Sequence, residues 1–347
     1  MPSISRFLCA SVLACTVSTG FAAGNNPSQP DARMHWHQAI QSGYQSLAKE
    51  ADELRHAAEA YCEAPHTKAK TRLEQEWLDA MLAWQRVRFV DFGPVERNNL
   101  SWQFQFWPDP KNLIARKAGN LLGSDQPISD ERVDRSGVAV QGFPMLEYLI
   151  FDEAFAASER ALPAKRTCTL LTAVARHIHA NSQQVSTDWQ DFKTPYLNNE
   201  PYRDTTIKAG MAALEILEER RLAQPMGLRG NGKRNLYITD AWRSGTSLQT
   251  VEATVQGLQQ QFLPGLKDLL EQSGEAAIAD RINRQFTEVL DNFPAQNPSM
   301  AVSLTDGQAF RALQNLYVDV SQLTTLVNDE AAVALGVVRG FNSSDGD

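Results

Sequence analysis

Residues 71–89 read TRLEQEWLDAMLAWQRVRF, and this stretch decides the class of the fold. Its large apolar side chains recur mostly three or four positions apart, with charged side chains between them. They are Leu73, Trp77, Leu78, Met81, Leu82 and Phe89. Side chains at this spacing lie on one side of an α-helix. The stretch therefore predicts an amphipathic helix that buries one face.

The same helical spacing continues along the chain. It recurs at Leu171, Val174, Ile178, Val185 and Trp189, at Leu248, Val251, Val255, Leu258 and Phe262, and at Leu313, Leu316, Val320, Leu323 and Val327. The sequence has no convincing period-two runs of β-branched residues, and its breaks fall at Pro and Gly clusters such as Gly142-Phe143-Pro144. Long amphipathic helices joined by short loops form bundles. We therefore predict an all-α fold.

The length of the chain predicts two packed units, because 347 residues exceed one comfortable hydrophobic core. The glycine-rich segment 226–233 suggests a boundary near residue 230. The predicted units are an N-terminal bundle (31–230), a C-terminal bundle (231–341) and a tail (342–347). Ala83-Trp84-Gln85-Arg86 is echoed by Ala241-Trp242-Arg243, which suggests that the two bundles arose by internal duplication.

The N-terminus predicts export. Arg6 is followed by an apolar run, Phe7–Val17, and then by small residues that end near Ala23. This pattern is typical of a secretory signal peptide, here residues 1–23, and the run is too short to span a bilayer. Alternatively, Val12-Leu13-Ala14-Cys15 resembles a lipobox, so that the signal is 1–14 and Cys15 carries a lipid. Both alternatives predict a periplasmic protein, whose contact with the membrane is at most a lipid anchor.

Charge and cysteine content exclude some classes of function. The net charge is −8 and no basic stripe occurs, which argues against a nucleic-acid partner. Cys62 and Cys168 either form a disulfide in the oxidising compartment or stay as buried thiols. There is no CxxC, HExxH or GxSxG motif, so nothing indicates a structural zinc, a zincin or an α/β-hydrolase.

The segment 136–149 is apolar around a single carboxylate, Glu147. Pro144 suits the first turn of a helix, which would put Glu147 near the positive helix end. A buried carboxylate needs a partner. One interpretation is an ion pair with an arginine, and the other is a carboxylate that faces a ligand. The candidate partners for an ion pair are Arg86, Arg88 and Arg243.

Gly142-x-Pro144-x-x-Glu147 occupies the place of the GxHxxE signature of imelysin-like proteins, which are also filed as a peptidase family. Further similar segments are 83–88, 92–94, 106–109, 222–227, 241–248 and 340–347. The sequence thus resembles the imelysin-like family over nearly all of the mature chain. It is most similar to a branch of predicted periplasmic lipoproteins that has proline in place of the motif histidine.

This resemblance implies two helical bundles with a cleft between them, and Glu147 facing that cleft. The implied lining is Trp84, Arg88, Trp107, Trp242 and Arg243, and the matched motifs add Gln141, Gly142 and Ser244 to the candidate binding residues. The ligand would be a small molecule, a metal or a peptide. The resemblance also implies a link to iron. It suggests iron or another divalent metal as cofactor, although the residues themselves indicate none.

Pro144 is the main departure from the family pattern, because its ring nitrogen cannot bind a metal or transfer a proton. A catalytic zinc normally has three protein ligands, and Glu147 supplies one at best. We therefore expect a non-catalytic envelope protein that binds a ligand or metal and is linked to iron homeostasis or uptake. The alternatives are a metal-dependent peptidase and an interaction scaffold.

Overall fold

The computed structural model describes residues 32–293 and 296–338, and within these ranges all regular structure is helical, without strands. The all-α prediction is confirmed. The predicted leader with Cys15 and the tail 342–347 lie outside the described residues. No helix in the described part is both long and apolar enough to cross a bilayer.

The first part of the chain contains helices α1 to α10. Their bounds are α1 Ala32–Glu63, α2 Thr67–Val87, α3 Leu100–Phe104, α4 Leu113–Gly123, α5 Asp130–Arg135, α6 Val138–Gln141, α7 Phe143–Phe151, α8 Glu153–Ala156, α9 Lys165–Asp191 and α10 Lys193–Asn198, with a 3₁₀ turn at Gly93–Asn99 before α3.

The second part contains α11 to α18 and three π-helical segments. The bounds are α11 Pro201–Glu215, α12 Gln224–Met226, α13 Ser247–Gly257, α14 Leu263–Gln272, α15 Ala276–Asp291, α16 Met300–Thr305, α17 Gly307–Thr325 and α18 Ala332–Ala334. The π segments are Ile216–Ala223, Leu258–Phe262 and Leu326–Ala331, and a 3₁₀ turn spans Leu236–Ile238.

Helix α2 contains most of the apolar stripe predicted in residues 71–89. Leu73, Trp77 and Met81 are buried, whereas Leu78 and Leu82 are half-buried at the edge of the stripe. The helix begins earlier than the stripe, at Thr67, and ends at Val87.

Helix α1 packs along both α2 and α9, and α13 packs on α2. The disulfide Cys62–Cys168 joins α1 to α9, which resolves the two alternatives left open for these cysteines. Where α13 crosses α2, a Cβ on Gly257 would overlap the carbonyl oxygen of Arg86. Only glycine permits so close an approach of the two helices.

The later helices pack back onto the first ones, since α14 and the segment 258–262 both contact α1. The stripe residues predicted in 248–262 and 313–327 are buried, but both stripes run on into π-helical turns. The described residues belong to one compact unit. The boundary near residue 230 and the internal duplication stay predictions.

Candidate functional site

A cavity of about 400 Å³ lies where four segments meet: helix α2, the loop between α3 and α4, helix α7, and the loop before α13. Four of the predicted site residues line it: Trp107, Glu147, Trp242 and Arg243. Pro144 lines it as well. The structure thus brings residues from distant parts of the sequence into one cavity.

Helix α7 places Glu147 on the cavity wall. Gly142 precedes this helix and Pro144 lies in its first turn, as predicted. Glu147 is only 3% exposed. It is the fifth residue of α7, one turn beyond the start. The expectation that the helix end stabilises the carboxylate therefore needs correction, because the dipole acts mainly within the first turn.

The loop before α13 holds one oxygen of Glu147. Oε1 accepts hydrogen bonds from the main-chain N–H of Arg243 at 2.8 Å and of Ser244 at 3.0 Å, and from the Ser244 hydroxyl at 3.2 Å. Oε2 accepts no hydrogen bond from the described residues. None of the expected ion pairs with an arginine guanidinium forms among these residues, so backbone donors take the place of the predicted charged partner.

The backbone of Ala241 sets up this arrangement. Its φ is +50°, in the left-handed region that residues with a Cβ rarely adopt. Two hydrogen bonds to its carbonyl oxygen hold it there, from the Thr246 N–H and from the Ser244 hydroxyl. After this strained turn the N–H groups of Arg243 and Ser244 point at Glu147, and such strain persists only where its surroundings enforce it.

Burial raises the pKa of Glu147 above its usual range. The hydrogen bonds from Ser244 and Arg243 and the positive charge of Arg243 oppose this shift without cancelling it. Compared with bulk water, this environment therefore disfavours the ionised form of Glu147.

Arg243 forms the side of the cavity next to Glu147. Its Nε donates to Asp152 Oδ2 at 2.8 Å, and its guanidinium lies 4.2 Å from the centre of the Trp242 ring. Tyr237 meets the same indole edge to face at 5.0 Å. The guanidinium is thus held by a carboxylate and an aromatic ring.

A buried polar network lies behind the cavity wall. Arg221, in the π segment 216–223, donates to Asp240 Oδ2 at 2.8 Å, and Arg88 lies 3.8 Å from the same oxygen. Gln105 Oε1 accepts from Arg88 at 2.9 Å and from Trp84 at 3.0 Å. Burial and the nearby Arg221 guanidinium lower the pKa of Arg88 to about 10, so it stays charged at neutral pH.

The family model for imelysin, which carries a peptidase label, matches residues 40–327. This match covers most of the chain. The chain belongs to the imelysin family. The sequence-based prediction of the family is confirmed.

Two solved structures show the same fold. An imelysin-like protein from Psychrobacter arcticum 273-4 is 20% identical, with a TM-score of 0.77, over 91% of this chain and 99% of that one. A protein from Parabacteroides distasonis, named as an iron-regulated protein A precursor, is 13% identical, with a TM-score of 0.64, over 89% and 97%. No curated protein matches the chain significantly.

The remaining predicted residues of this imelysin-family site lie near the cavity or outside it. Ser244 holds Glu147, and Trp84 and Arg88 contact the wall residue Gln105. Gln141 instead donates to the carbonyl oxygens of residues 133 and 134. Gly142 is pressed against the main chain, where a Cβ would overlap the Phe104 carbonyl oxygen. These two residues do not line the cavity.

Sequence reasoning missed Gln105, Asp152, Tyr237 and Asp240, which line the cavity, and Arg221 behind it. Gln105, Arg221 and Asp240 directly precede matched motifs, so adjacency to a motif is a signal that could have found them. Asp152 and Tyr237 carry no such local signal, because their roles depend on contacts formed only in the folded chain.

The donor set does not fit a catalytic metal centre of the kind implied for imelysin relatives. Pro144 replaces the motif histidine, and the residues described include no group of three His, Cys, Asp or Glu side chains placed to hold an ion. Structural and catalytic metal sites normally use three or more such ligands.

Proposed function

We propose that this imelysin-family chain is an exported envelope protein that binds a small ligand in the cavity around Glu147 without catalysis, in the service of iron homeostasis or uptake. One observation carries the proposal. Trp107 and Glu147, from early in the chain, and Trp242 and Arg243, from beyond residue 230, line a single cavity. Small-molecule sites are typically concave, mostly apolar and supplied with a few convergent polar groups.

The state of the polar groups favours binding over catalysis. Most of the lining carboxylates are already occupied by hydrogen bonds within the protein, and the described lining includes no histidine, cysteine or lysine. Pro144 stands where a histidine would serve a peptidase. Acid–base chemistry needs a positioned proton donor or acceptor beside the reacting group. Glu147 is the remaining candidate, and it has no partner for such a role.

The link to iron and to export is supported by two observations of different kinds. A protein of the same fold is named as an iron-regulated protein A precursor. The N-terminal region has Arg6 followed by an apolar run, which is typical of a secretory signal. Both support a role in the envelope that responds to iron supply.

Native mass spectrometry of the mature protein, purified from the cell envelope, tests the proposal. We expect an added mass that is lost on denaturation, and that is absent from Tyr237→Ala, which removes a lining ring that is 67% exposed. Tyr317→Ala is the matched control, because Tyr317 lies outside the cavity lining. The denatured mass also decides between lipidated Cys15 and cleavage near Ala23.

Two results would contradict the proposal. One is an envelope protein without added mass that cleaves peptides in a chelator-sensitive way, which would favour the metallopeptidase. The other is stable co-purification with a membrane protein through a surface that Tyr237→Ala does not affect, which would favour a scaffold. Protein abundance that is unchanged by iron starvation would remove the proposed iron link.

A further inference from the structure

We infer that the ligand of this cavity is a protonated primary or secondary amine carried on an apolar or aromatic body. The inference rests on the proposed binding function and adds the chemical class of the ligand. It combines three features of the cavity: an acceptor oxygen of Glu147 that no described residue bonds, a carboxyl group that forms no ion pair with the described residues, and aromatic walls.

The lining carboxylates differ in whether their oxygens accept hydrogen bonds from the described residues. Asp109 accepts from the N–H groups of residues 113 and 114 at the start of α4. Asp152 accepts from the Phe155 N–H and from Arg243. Both oxygens of Asp240 are bonded as well, to Thr250 on one side and to Arg221 on the other. Within the described structure Glu147 Oε2 accepts nothing, although its residue lines the cavity.

The charges of the lining favour a cation. Arg243 is the cationic side chain in the described lining, and Asp152 already neutralises it at 2.8 Å. Arg88 and Arg221 both approach Asp240 behind the wall. A positive group next to a carboxylate stabilises its ionised form, whereas an anionic ligand would meet Glu147 with like charge. A bound ammonium would form the ion pair that Glu147 does not make with any described residue.

The aromatic lining suits the rest of such a ligand. Phe106, Trp107, Tyr237 and Trp242 all line the cavity. Two of these rings already contact guanidinium groups. That of Arg243 lies 4.2 Å from the centre of the Trp242 ring, and that of Arg88 lies 5.8 Å from the centre of the Trp107 ring. Aromatic faces attract cations and also bury apolar groups. The volume, about 400 Å³, is within the range of small-molecule sites.

The hydrogen-bonding role of Oε2 narrows the class further. In its ionised form, which a bound cation stabilises, the Glu147 carboxylate only accepts, so the partner of Oε2 must carry an N–H or O–H donor. A quaternary ammonium has no such donor, whereas a primary or secondary ammonium offers a charge-assisted hydrogen bond, which is stronger than a neutral one.

Calorimetric titration with three probes of matched shape tests the inference: phenethylamine, 2-phenylethanol and phenylacetate. At neutral pH we expect the amine to bind at least tenfold more tightly than the alcohol, and phenylacetate to bind most weakly. The N,N,N-trimethyl derivative of the amine should bind at least tenfold more weakly than the amine itself. In Glu147→Gln the preference for the amine over the alcohol should vanish.

Glu252→Gln is the matched control, because Glu252 is a half-buried carboxylate on α13 that does not line the cavity. This variant should keep the preference. Equal or tighter binding of the alcohol or of phenylacetate, or a preference that survives Glu147→Gln, overturns the amine class but leaves a binding cavity. Failure of all probes to bind also overturns it. The proposed function is then decided separately, by the mass difference of the native envelope protein.

Discussion

The carboxyl group of Glu147 has two possible roles in stability. It accepts hydrogen bonds from the loop before α13, and it is a buried charge. Two substitutions of Glu147 distinguish these roles. In the structure Oε1 accepts the main-chain N–H groups of Arg243 and Ser244, and no guanidinium contacts it within the described residues. Glu147→Gln keeps an acceptor oxygen at this position, whereas Glu147→Ala removes it. We therefore expect the two variants to differ strongly in stability.

The size of the difference follows from the hydrogen bonds. In Glu147→Ala two main-chain N–H groups lose their acceptor, while the Ser244 hydroxyl keeps its bond to Ala241. A stranded buried donor costs about 1–3 kcal/mol. Because water in the cavity can reach this side, we expect a total loss of about 2–4 kcal/mol. Glu147→Gln should remain within about 1 kcal/mol of the wild type, because the environment of Glu147 disfavours the charge it removes.

Urea unfolding at neutral pH, followed by tryptophan fluorescence, measures both variants through the shift of the midpoint at an unchanged m value. A Glu147→Gln variant that loses about 3–5 kcal/mol would refute the reasoning. That loss is expected for a broken buried ion pair, in which the partner charge is stranded.

The pH dependence of the stabilities of the wild type and of Glu147→Gln gives an independent check. Burial raises the pKa of Glu147 in the folded protein above the unfolded value of 4.5. Between these two pKa values the native state keeps a proton that the unfolded state has lost, so the wild type loses stability as the pH rises. Glu147→Gln does not titrate there. Its stability relative to the wild type should therefore increase as the pH rises above the unfolded pKa of 4.5, and a decrease would contradict the sign of the shift.

Three further changes test the surroundings of the cavity. Asp240→Asn should lower the free energy of unfolding by about 3–5 kcal/mol in urea titrations, because it strands the buried guanidinium of Arg221, and a loss below about 1 kcal/mol would show that the pair is dispensable. Gly142→Ala should lower the free energy of unfolding by about 1–3 kcal/mol or more in the same assay, because the added Cβ would overlap a main-chain carbonyl. Wild-type stability would contradict this packing. Reduction of the Cys62–Cys168 disulfide should cost about 2–5 kcal/mol, since the bridge spans a sequence separation of 106, and an unchanged Tm with dithiothreitol would argue against the bridge.

Sequence patterns predicted most of the fold because helix formation is largely local. The stripes containing Trp77, Val251 and Leu316 are buried as expected, and Pro144 starts α7 as its missing N–H allows. The π segments were not predicted. Periodicity is read over many residues, whereas a π turn adds one residue to a single turn and leaves the average pattern almost unchanged.

The candidate site was predicted in part. Its motif residues Trp107, Glu147, Trp242 and Arg243 share the cavity, and the family resemblance was what nominated them together. One of the two interpretations of Glu147, an ion pair with an arginine side chain, does not hold within the described residues, where main-chain N–H groups are its partners. Every residue carries a main-chain N–H, so no residue type marks that partner in advance.

By itself, the sequence determined that the chain is helical, that the apolar faces are buried and that Glu147 is a carboxylate in an apolar segment. These properties depend on residues a few positions apart. The tertiary structure alone decided which oxygen of Glu147 is occupied, that Cys62 meets Cys168, and that a cavity lies beside Trp242. These contacts join groups about a hundred positions apart, as between Glu147 and Arg243, with a separation of 96. Local periodicity carries no information on how such distant segments align, because that alignment is set by the packing of whole helices.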